Sequence, residues 1–239
     1  MKKVFIIFKW FLAIAFLLVL LIFVNDRFSV QDISLNEIII NESADDFINK
    51  QIILNYLSSK SISFDNFLIS DFPQNEIEDV LESHPAVKKA EVYINQKGQV
   101  DILIEQKQAV VRIKSNDEDC YLDEFGKRMQ LSDDYTAKLL VATGNITAKD
   151  YVGIYDFVKK INSLEFWKAQ FTQIHFENNQ IFLIPRVGSQ KVNIGSFDNI
   201  TDKLDNLYHF YKTAMPKKGW QTYSDINLKF KNQIVCARK

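Results

Sequence analysis

The feature that most constrains this chain is a long apolar segment near its N-terminus, which runs from Val4 to Val24. Its 21 residues are interrupted by a single charge, Lys9. At about 1.5 Å per residue, a helix of this length reaches roughly 30 Å, the thickness of the hydrocarbon layer of a bilayer. We therefore predict a transmembrane helix over residues 4–24.

The charges on either side of this segment predict its orientation. Lys2, Lys3 and Lys9 cluster at its start, whereas Asp26 and Arg27 nearly cancel after it. The positive-inside rule then makes residues 1–3 a cytoplasmic tail and places the bulk of the chain on the other side of the membrane. This predicts a single-pass type II membrane protein, with everything after residue 25 outside the cytoplasm.

The alternative is a cleaved signal peptide, since the uninterrupted apolar stretch of residues 10–24 also fits the apolar core of such a peptide. The residues at its end, Phe23-Val24-Asn25-Asp26, are large or polar, whereas a cleavage site needs small ones. The length and flanks of the segment favour an uncleaved anchor.

The charge balance argues against a nucleic-acid partner. Of 29 basic residues, three lysines lie in the first nine positions, so residues 10–239 carry 26 basic and 30 acidic groups. Proteins that bind nucleic acid normally present a basic face.

Cys120 and Cys236 are the two cysteines of the sequence. An oxidising compartment would permit a disulfide between them, but two distant cysteines do not form a disulfide framework. Both a disulfide and two free thiols stay open, and free thiols are favoured because a buried free cysteine is common.

The first region after the anchor begins with a strand and a helix. β-branched residues dominate residues 30–40, which predicts a strand. Ser43-Ala44-Asp45-Asp46 then resembles a capping box, and apolar residues at helical spacing follow it. We therefore expect a first helix near residues 44–58.

A second helix and a β-hairpin follow. Pro73 suits the first turn of a helix. Pro85 ends this helix near Ser83, because proline disfavours helical geometry in the residue before it. Apolar residues then alternate on both sides of a turn that contains Gly98, which predicts a hairpin. The predicted order is strand, helix, helix, strand, strand.

The rest of the chain predicts a second region of mixed strands and helices. Strand-like segments are bounded by turn residues, and a second capping box, Thr147-Ala148-Lys149-Asp150, opens a helix. A further amphipathic helix begins near Ile200. The predicted strands are residues 120–122, 139–144, 171–177, 180–185, 190–195, 223–230 and 233–237.

We find no motif that supports catalysis or metal binding. The three histidines, His84, His175 and His209, lie on three different elements, and His84 fits a polar helix end next to the negative end of the helix dipole. The acids of residues 117–119 and 123–124 do not have the spacing of a calcium loop. The sequence therefore predicts a protein that acts by binding, without a catalytic residue, cofactor or metal.

Several stretches resemble landmarks of the bacterial cell-division family FtsQ, called DivIB in Gram-positive bacteria. Ile77-Glu78 through Leu81-Glu82, the run from His84 to Tyr93 and the hairpin to Ile104 resemble its POTRA domain. Further stretches resemble its β-domain, and the terminal one is similar to the final strands of Bacteroidetes members. These stretches are residues 106–113, 121–127, 131–132, 141–144 and 225–236.

The resemblance implies an α+β fold with one N-terminal transmembrane helix, a POTRA domain over residues 30–113 and a mixed β-domain with flanking helices over residues 114–239. It also implies a non-enzymatic scaffold of the divisome at the division septum, which links early to late division proteins and is essential for septum formation. In this family the C-terminal region of the β-domain binds the small coiled-coil proteins FtsB and FtsL, and the POTRA domain contributes recruitment contacts to other divisome proteins.

A terminal strand is a sheet edge that can accept another chain through main-chain hydrogen bonds. We therefore expect partner contacts in the last two strands, where one of two alternating sets of side chains is buried and the other faces outward. The sets are Ile226, Leu228 and Phe230 against Asn227, Lys229 and Lys231. The predicted partner-binding residues are Tyr223, Ile226, Leu228, Lys229, Phe230, Gln233 and Val235.

Two other functions stay open at this point. A POTRA domain also fits an accessory of secretion or outer-membrane assembly. The segment of residues 114–239 offers two predicted helices and short strands, which is too little for a closed membrane barrel. An exported hydrolase is the third possibility, which the scattered histidines disfavour.

Overall fold

The computed structural model describes residues 2–41, 45–64, 67–132 and 135–239, with residues 2–7 described by their backbone alone. It divides into two compact units. The first contains most of the chain up to Gln106, and the second contains Lys107–Lys239 together with residues 45–47.

The chain begins with helix α1 (Lys2–Ser29), which contains the predicted transmembrane segment. Residues Phe8–Ser29 form a 22-residue stretch that is long and apolar enough to cross a membrane, and none of it is buried against the rest of the protein. The predicted N-terminal apolar helix is therefore confirmed, and its backbone continues to Ser29.

The rest of the first unit is a three-stranded sheet with two helices. The sheet has the order β1-β3-β2, in which β3 is central, parallel to β1 and antiparallel to β2. This confirms the predicted order of strand, helix, helix, strand and strand. The elements are β1 (Ser34–Ile40), α2 (Lys50–Ser59), a 3-10 turn (Ile69–Asp71), α3 (Gln74–Glu82), β2 (Val87–Ile94) and β3 (Gln99–Gln106).

Alternation explains how this unit forms its core. In β3 the side chains of Val100, Ile102 and Ile104 are fully buried, whereas those between them are partly exposed. The helices bury one stripe each, which includes Leu57 of α2 and Leu81 of α3. The apolar face of the hairpin and these two stripes therefore form one core.

The first helix begins later than the sequence predicted. Asn49 caps it by accepting a hydrogen bond from the backbone N–H of Ile52 at 2.9 Å. Of the predicted capping box, residues 43–44 lie outside the described part of the chain, and Asp45 is not helical. Phe47 belongs to the second unit, where its ring lies 5.5 Å from the ring of Tyr121.

The second unit contains one mixed nine-stranded sheet with the order β12-β11-β10-β9-β8-β7-β4-β5-β6. Three neighbouring pairs are parallel, namely β10 with β11, β7 with β4 and β7 with β8. Its strands are β4 (Ala109–Ser115), β5 (Asp119–Asp123), β6 (Arg128–Met129), β7 (Val141–Gly144), β8 (Phe171–Glu177), β9 (Gln180–Pro185), β10 (Lys191–Gly195), β11 (Tyr223–Asn227) and β12 (Val235–Arg238). Its helices are α4 (Tyr151–Ser163), α5 (Glu165–Lys168), α6 (Ile200–Thr213) and α7 (Met215–Lys218). The predicted α+β class with a mixed sheet is confirmed.

The division between the units lies at Gln106/Lys107, whereas the sequence placed it at 113/114. The difference comes from β4, which the sequence analysis did not assign as a strand. β4 pairs with β5 and with β7, so residues 109–115 belong to the nine-stranded sheet.

The core of the second unit lies between the sheet and the helices α4 and α6. α4 contributes Ile154 and Phe157, and α6 contributes Leu204 and Leu207, all buried in one apolar cluster with the inner face of the sheet. The predicted capping box is present in the 3-10 turn that precedes α4. The side chain of Thr147 accepts the backbone N–H of Asp150, and the side chain of Asp150 accepts the backbone N–H of Thr147. α6 connects β10 to β11, which is why these two strands are parallel.

Candidate protein-binding edge

β12 is an edge strand of the nine-stranded sheet, because it pairs with β11 on one side and ends the strand order. The ladder between them is antiparallel and joins Asn227 to Val235, Ile226 to Cys236 and Asp225 to Ala237. An edge strand presents backbone N–H and C=O groups that can pair with another chain.

The hydrogen bonds of β11 show which residue of β12 directs its backbone N–H and C=O groups away from the sheet. The backbone N–H of Leu228 donates to the carbonyl of Asn193 in β10 at 2.8 Å, so the N–H of Asn227 points the other way, toward β12. The backbone N–H and C=O groups of Val235, which pairs with Asn227, therefore point back toward β11. The backbone groups of Cys236, one residue later, point away from the sheet and are open to a further strand.

Two of the predicted partner-binding residues lie in the core. The side chains of Ile226 and Leu228 are 0% and 3% exposed and pack in the apolar cluster of the second unit. Neither can contact a partner directly, and we correct the prediction on this point. Tyr223 is half-buried, with its ring 5.8 Å from that of Phe210.

The other four predicted residues are exposed. Phe230 and Val235 keep 47% and 46% of their surface exposed, and Lys229 and Gln233 are exposed polar side chains. The predicted alternation of Ile226, Leu228 and Phe230 ends at Leu228. β11 stops at Asn227, so the chain turns before Phe230 can reach the core.

A groove lies beside this turn, between it and the first half of α6. The groove, with a cavity volume of about 230 Å³, has Leu228 at its base and Phe230 at its rim. Its α6 side is lined by Asp202, Lys203 and Asn206. We call this the terminal groove. It brings an apolar ring and mixed charges together at the turn that leads into β12.

Lys203 fixes the α6 side of the terminal groove. Its ammonium donates to the carbonyls of Ile194 at 2.7 Å and Ser196 at 2.9 Å. Burial lowers the pKa of this ammonium, and the charge of Asp198 partly opposes that effect. Lys203 therefore ties α6 to the end of β10 and holds the groove in shape.

Gly195 allows the turn to lie against the sheet. Its φ of +71° is unfavourable for other residues, and a Cβ at this position would lie 2.8 Å from the side chain of Lys229. The position next to the terminal groove therefore requires glycine.

The α6 side of the terminal groove was missed by the sequence analysis. Asp202, Lys203 and Asn206 looked like the polar face of an ordinary amphipathic helix. Their link to the last strands arises from the parallel pairing of β10 with β11, a contact between distant parts of the chain that periodicity does not encode.

The three histidines lie in three different surroundings. The His84 ring packs edge-on against Tyr56 at 4.7 Å, and the Nδ1 of His175 lies 2.9 Å from the hydroxyl of Thr143. His209 is exposed on α6. Across residues 8–41, 45–64, 67–132 and 135–239, we find no group of three or more His, Cys, Asp and Glu side chains that could hold a metal ion.

The acids considered for calcium form protein contacts. Asp119 forms a bidentate contact with the Arg112 guanidinium, in which Nε and Nη2 of Arg112 each donate to a carboxylate oxygen of Asp119 at 2.8 Å. Asp123 accepts the backbone N–H groups of Phe125 and Lys127 and so holds the turn between β5 and β6. Both cysteines are free thiols, and burial raises the pKa of each.

Comparison with known protein families matches both units. Residues 34–105 match the model of a POTRA-like domain. Residues 108–237, more than half of the chain, match the model described as FtsQ/DivIB, C-terminal related. No curated protein matches the sequence. Since the two models match in the order that the sequence predicted and the second covers most of the nine-stranded sheet, the chain belongs to the FtsQ/DivIB family of cell-division proteins.

Proposed function

We propose that this chain is a non-enzymatic scaffold of the divisome, which binds FtsB- and FtsL-like coiled-coil proteins and links early to late division proteins during septum formation. The observation that carries the proposal is the open edge of β12 with Phe230 and Val235 exposed beside it. A partner segment would add as a further strand to β12.

The membrane arrangement follows from α1 and its flanking charges. α1 would anchor the chain in the inner membrane with residues 1–3 in the cytoplasm and both units in the periplasm. In this arrangement the POTRA-like unit and the nine-stranded sheet would lie on the side where the septal wall is built. We propose that the protein is located at the division septum.

The backbone of β12 and the side chains near it have separate roles in this proposal. Main-chain hydrogen bonds to Cys236 would supply strand addition, which tolerates many sequences. The side chains would select the partner, with Phe230 as an apolar anchor and Lys229 and Gln233 as polar contacts around it. Interfaces commonly have such an apolar centre within a polar rim.

Replacing Cys236 by proline tests the proposal. Proline removes the outward N–H, and an edge strand tolerates this change when that N–H faces solvent. We expect the full-length Cys236→Pro variant to fold and to lose co-purification with an FtsB-like coiled coil from the same organism. The matched control is Cys236→Ala, which removes the same thiol and keeps the N–H.

The outcomes separate strand addition from other modes of binding. If Cys236→Pro binds as well as Cys236→Ala, strand addition at β12 is refuted. If depletion of the protein leaves cells dividing normally, the scaffold role is refuted as well, since loss of an essential septal scaffold should give filamentous cells.

A further inference from the structure

β2 forms an edge of the three-stranded sheet, on the side of β3 opposite to β1. It is eight residues long, and its ladder to β3 covers nearly its whole length. A long edge strand with free backbone groups is a template for pairing with another chain. Side chains of the neighbouring helix α3 form hydrogen bonds to the backbone of this edge.

Two glutamates of α3 occupy the backbone N–H groups of β2. Glu78 Oε1 accepts the N–H of Val92 at 2.7 Å, and Glu82 Oε1 accepts the N–H of Ala90 at 3.2 Å. Because these N–H groups bond to α3, they point away from β3 and are the donors that an added strand would use.

The spacing of the two elements makes this double contact possible. Residues four apart on a helix are separated by about 6 Å along its axis, and residues two apart on a strand by about 6.6 Å. Glu78 and Glu82 therefore match Val92 and Ala90 in antiparallel register. Each glutamate directly follows a buried residue of α3, Ile77 or Leu81, so packing of that stripe brings both carboxylates over the edge.

The place of Glu82 in its helix supports a specific role. Glu82 is the last residue of α3, where the negative end of the helix dipole disfavours a carboxylate. Its hydrogen bond to the N–H of Ala90 compensates for this position, since a charged acceptor makes a stronger bond to a backbone N–H than a neutral one.

The exposed face of β2 fits a second copy of the same strand. Lys89 and Glu91 lie on either side of Ala90 and are both exposed. In an antiparallel pair of two β2 strands centred on Ala90, Lys89 of each copy would lie opposite Glu91 of the other. Opposite charges at facing positions stabilise such a pair.

We propose that Glu78 and Glu82 guard the β2 edge, so that α3 prevents strand addition by a second copy of this chain. The two carboxylates occupy the N–H groups of Ala90 and Val92, which lie at the centre of such a self-pairing. In the folded protein the β2 edge is therefore not available for pairing with another strand. This proposal is independent of the function proposed for β12.

Hydrogen exchange of the full-length chain in nanodiscs tests the contacts. Glu78→Ala should speed exchange of the Val92 amide, and Glu82→Ala that of the Ala90 amide, each by about tenfold, the factor for a loss of about 1.4 kcal/mol. Glu78→Gln and Glu82→Gln are matched controls, because glutamine keeps an acceptor oxygen. Unchanged exchange in both alanine variants would overturn the contacts.

Self-association tests the consequence. The double variant Glu78→Ala/Glu82→Ala should form concentration-dependent dimers in detergent, measured by analytical ultracentrifugation, whereas the double glutamine variant, which keeps two neutral acceptors, should associate less than the double alanine variant. If the double alanine variant loses its amide protection yet stays monomeric at the highest concentration at which the wild type is soluble, the guard role is wrong. If it unfolds by circular dichroism, the single variants are compared instead, and each should associate more strongly than its glutamine control.

Discussion

Phe230 and Leu228 lie two residues apart, yet the structure predicts opposite consequences for their truncation. Leu228 is buried in the core and Phe230 is nearly half exposed at the rim of the terminal groove. Leu228→Ala should therefore lower the free energy of unfolding by about 2–5 kcal/mol, as is usual for a buried leucine. Phe230→Ala should act mainly on partner binding.

The magnitude for Phe230 follows from the surface that it still exposes. Full burial of a phenylalanine side chain contributes about 1.5–3 kcal/mol, and 47% of this residue is exposed in the free protein. Covering that part would contribute about 1 kcal/mol, so Phe230→Ala should weaken binding roughly fivefold. The part that is already buried implies a loss of stability of about 1 kcal/mol, well below that for Leu228.

The assay is a titration of an FtsB-like peptide against the full-length chain in nanodiscs, with thermal unfolding measured on the same samples. Phe125→Ala is the matched control, since Phe125 is an exposed phenylalanine in the turn near the other edge of the sheet. An unchanged affinity for folded Phe230→Ala would refute the role of Phe230. An equal loss in Phe125→Ala would show that the effect is not specific to the terminal groove.

Two further predictions concern pH. Burial raises the pKa of Tyr211 to about 12, and Gln190 partly opposes this shift. The neutral phenol therefore stabilises the fold below pH 10, and this contribution is lost as the pH rises toward 12. Tyr211→Phe should make the melting temperature fall less steeply at alkaline pH, and an unchanged fall would contradict this. The Arg112 guanidinium lowers the pKa of Asp119, so their contact, worth about 0.5–1 kcal/mol at a partly exposed site, is present above about pH 4 and lost below it. Asp119→Asn should therefore be less stable than wild type at pH 7 and equal to it at pH 2, as measured by urea unfolding, and an equal difference at both pH values would count against the pair.

Local signals were enough to predict the elements whose ends are set by turn chemistry. The strands of residues 171–177 and 180–185 have the predicted limits, because Asn178 and Asn179 both adopt positive φ and form a two-residue turn. The end of α3 was predicted for a similar reason, since Pro85 excludes helix in the residue before it.

Long-range contacts explain where the sequence analysis failed. Phe47 has the spacing of a helical residue, but its ring packs against Tyr121 and Tyr135 of the second unit, so it lies outside α2. The alternation through Phe230 suggested a longer strand, but β11 ends at Asn227, which pairs with Asn193 of β10, and the backbone N–H of Leu228 still bonds to the Asn193 carbonyl before the chain turns. In both cases the competing contact joins residues far apart in the sequence.

The candidate site could be predicted to the level of a segment but not of single residues. The sequence analysis predicted partner contacts in the last strands, and β12 lies at one edge of the nine-stranded sheet. Whether Leu228 or Lys229 faces outward depends on which neighbour β11 pairs with, and this is fixed by the passage of α6 across the sheet.

The shortness of β12 has a consequence for how its partners would bind. Four residues held from one side form few contacts, and such segments open locally more often than the centre of a sheet. A partner that adds a strand binds the closed form, so it lowers the population of the open form, and a change that stabilises closed β12 tightens binding to the extent that the open form was populated. Order in this strand and occupancy of the edge are thermodynamically linked, which would allow a partner at this edge to complete the order of the strand to which it binds.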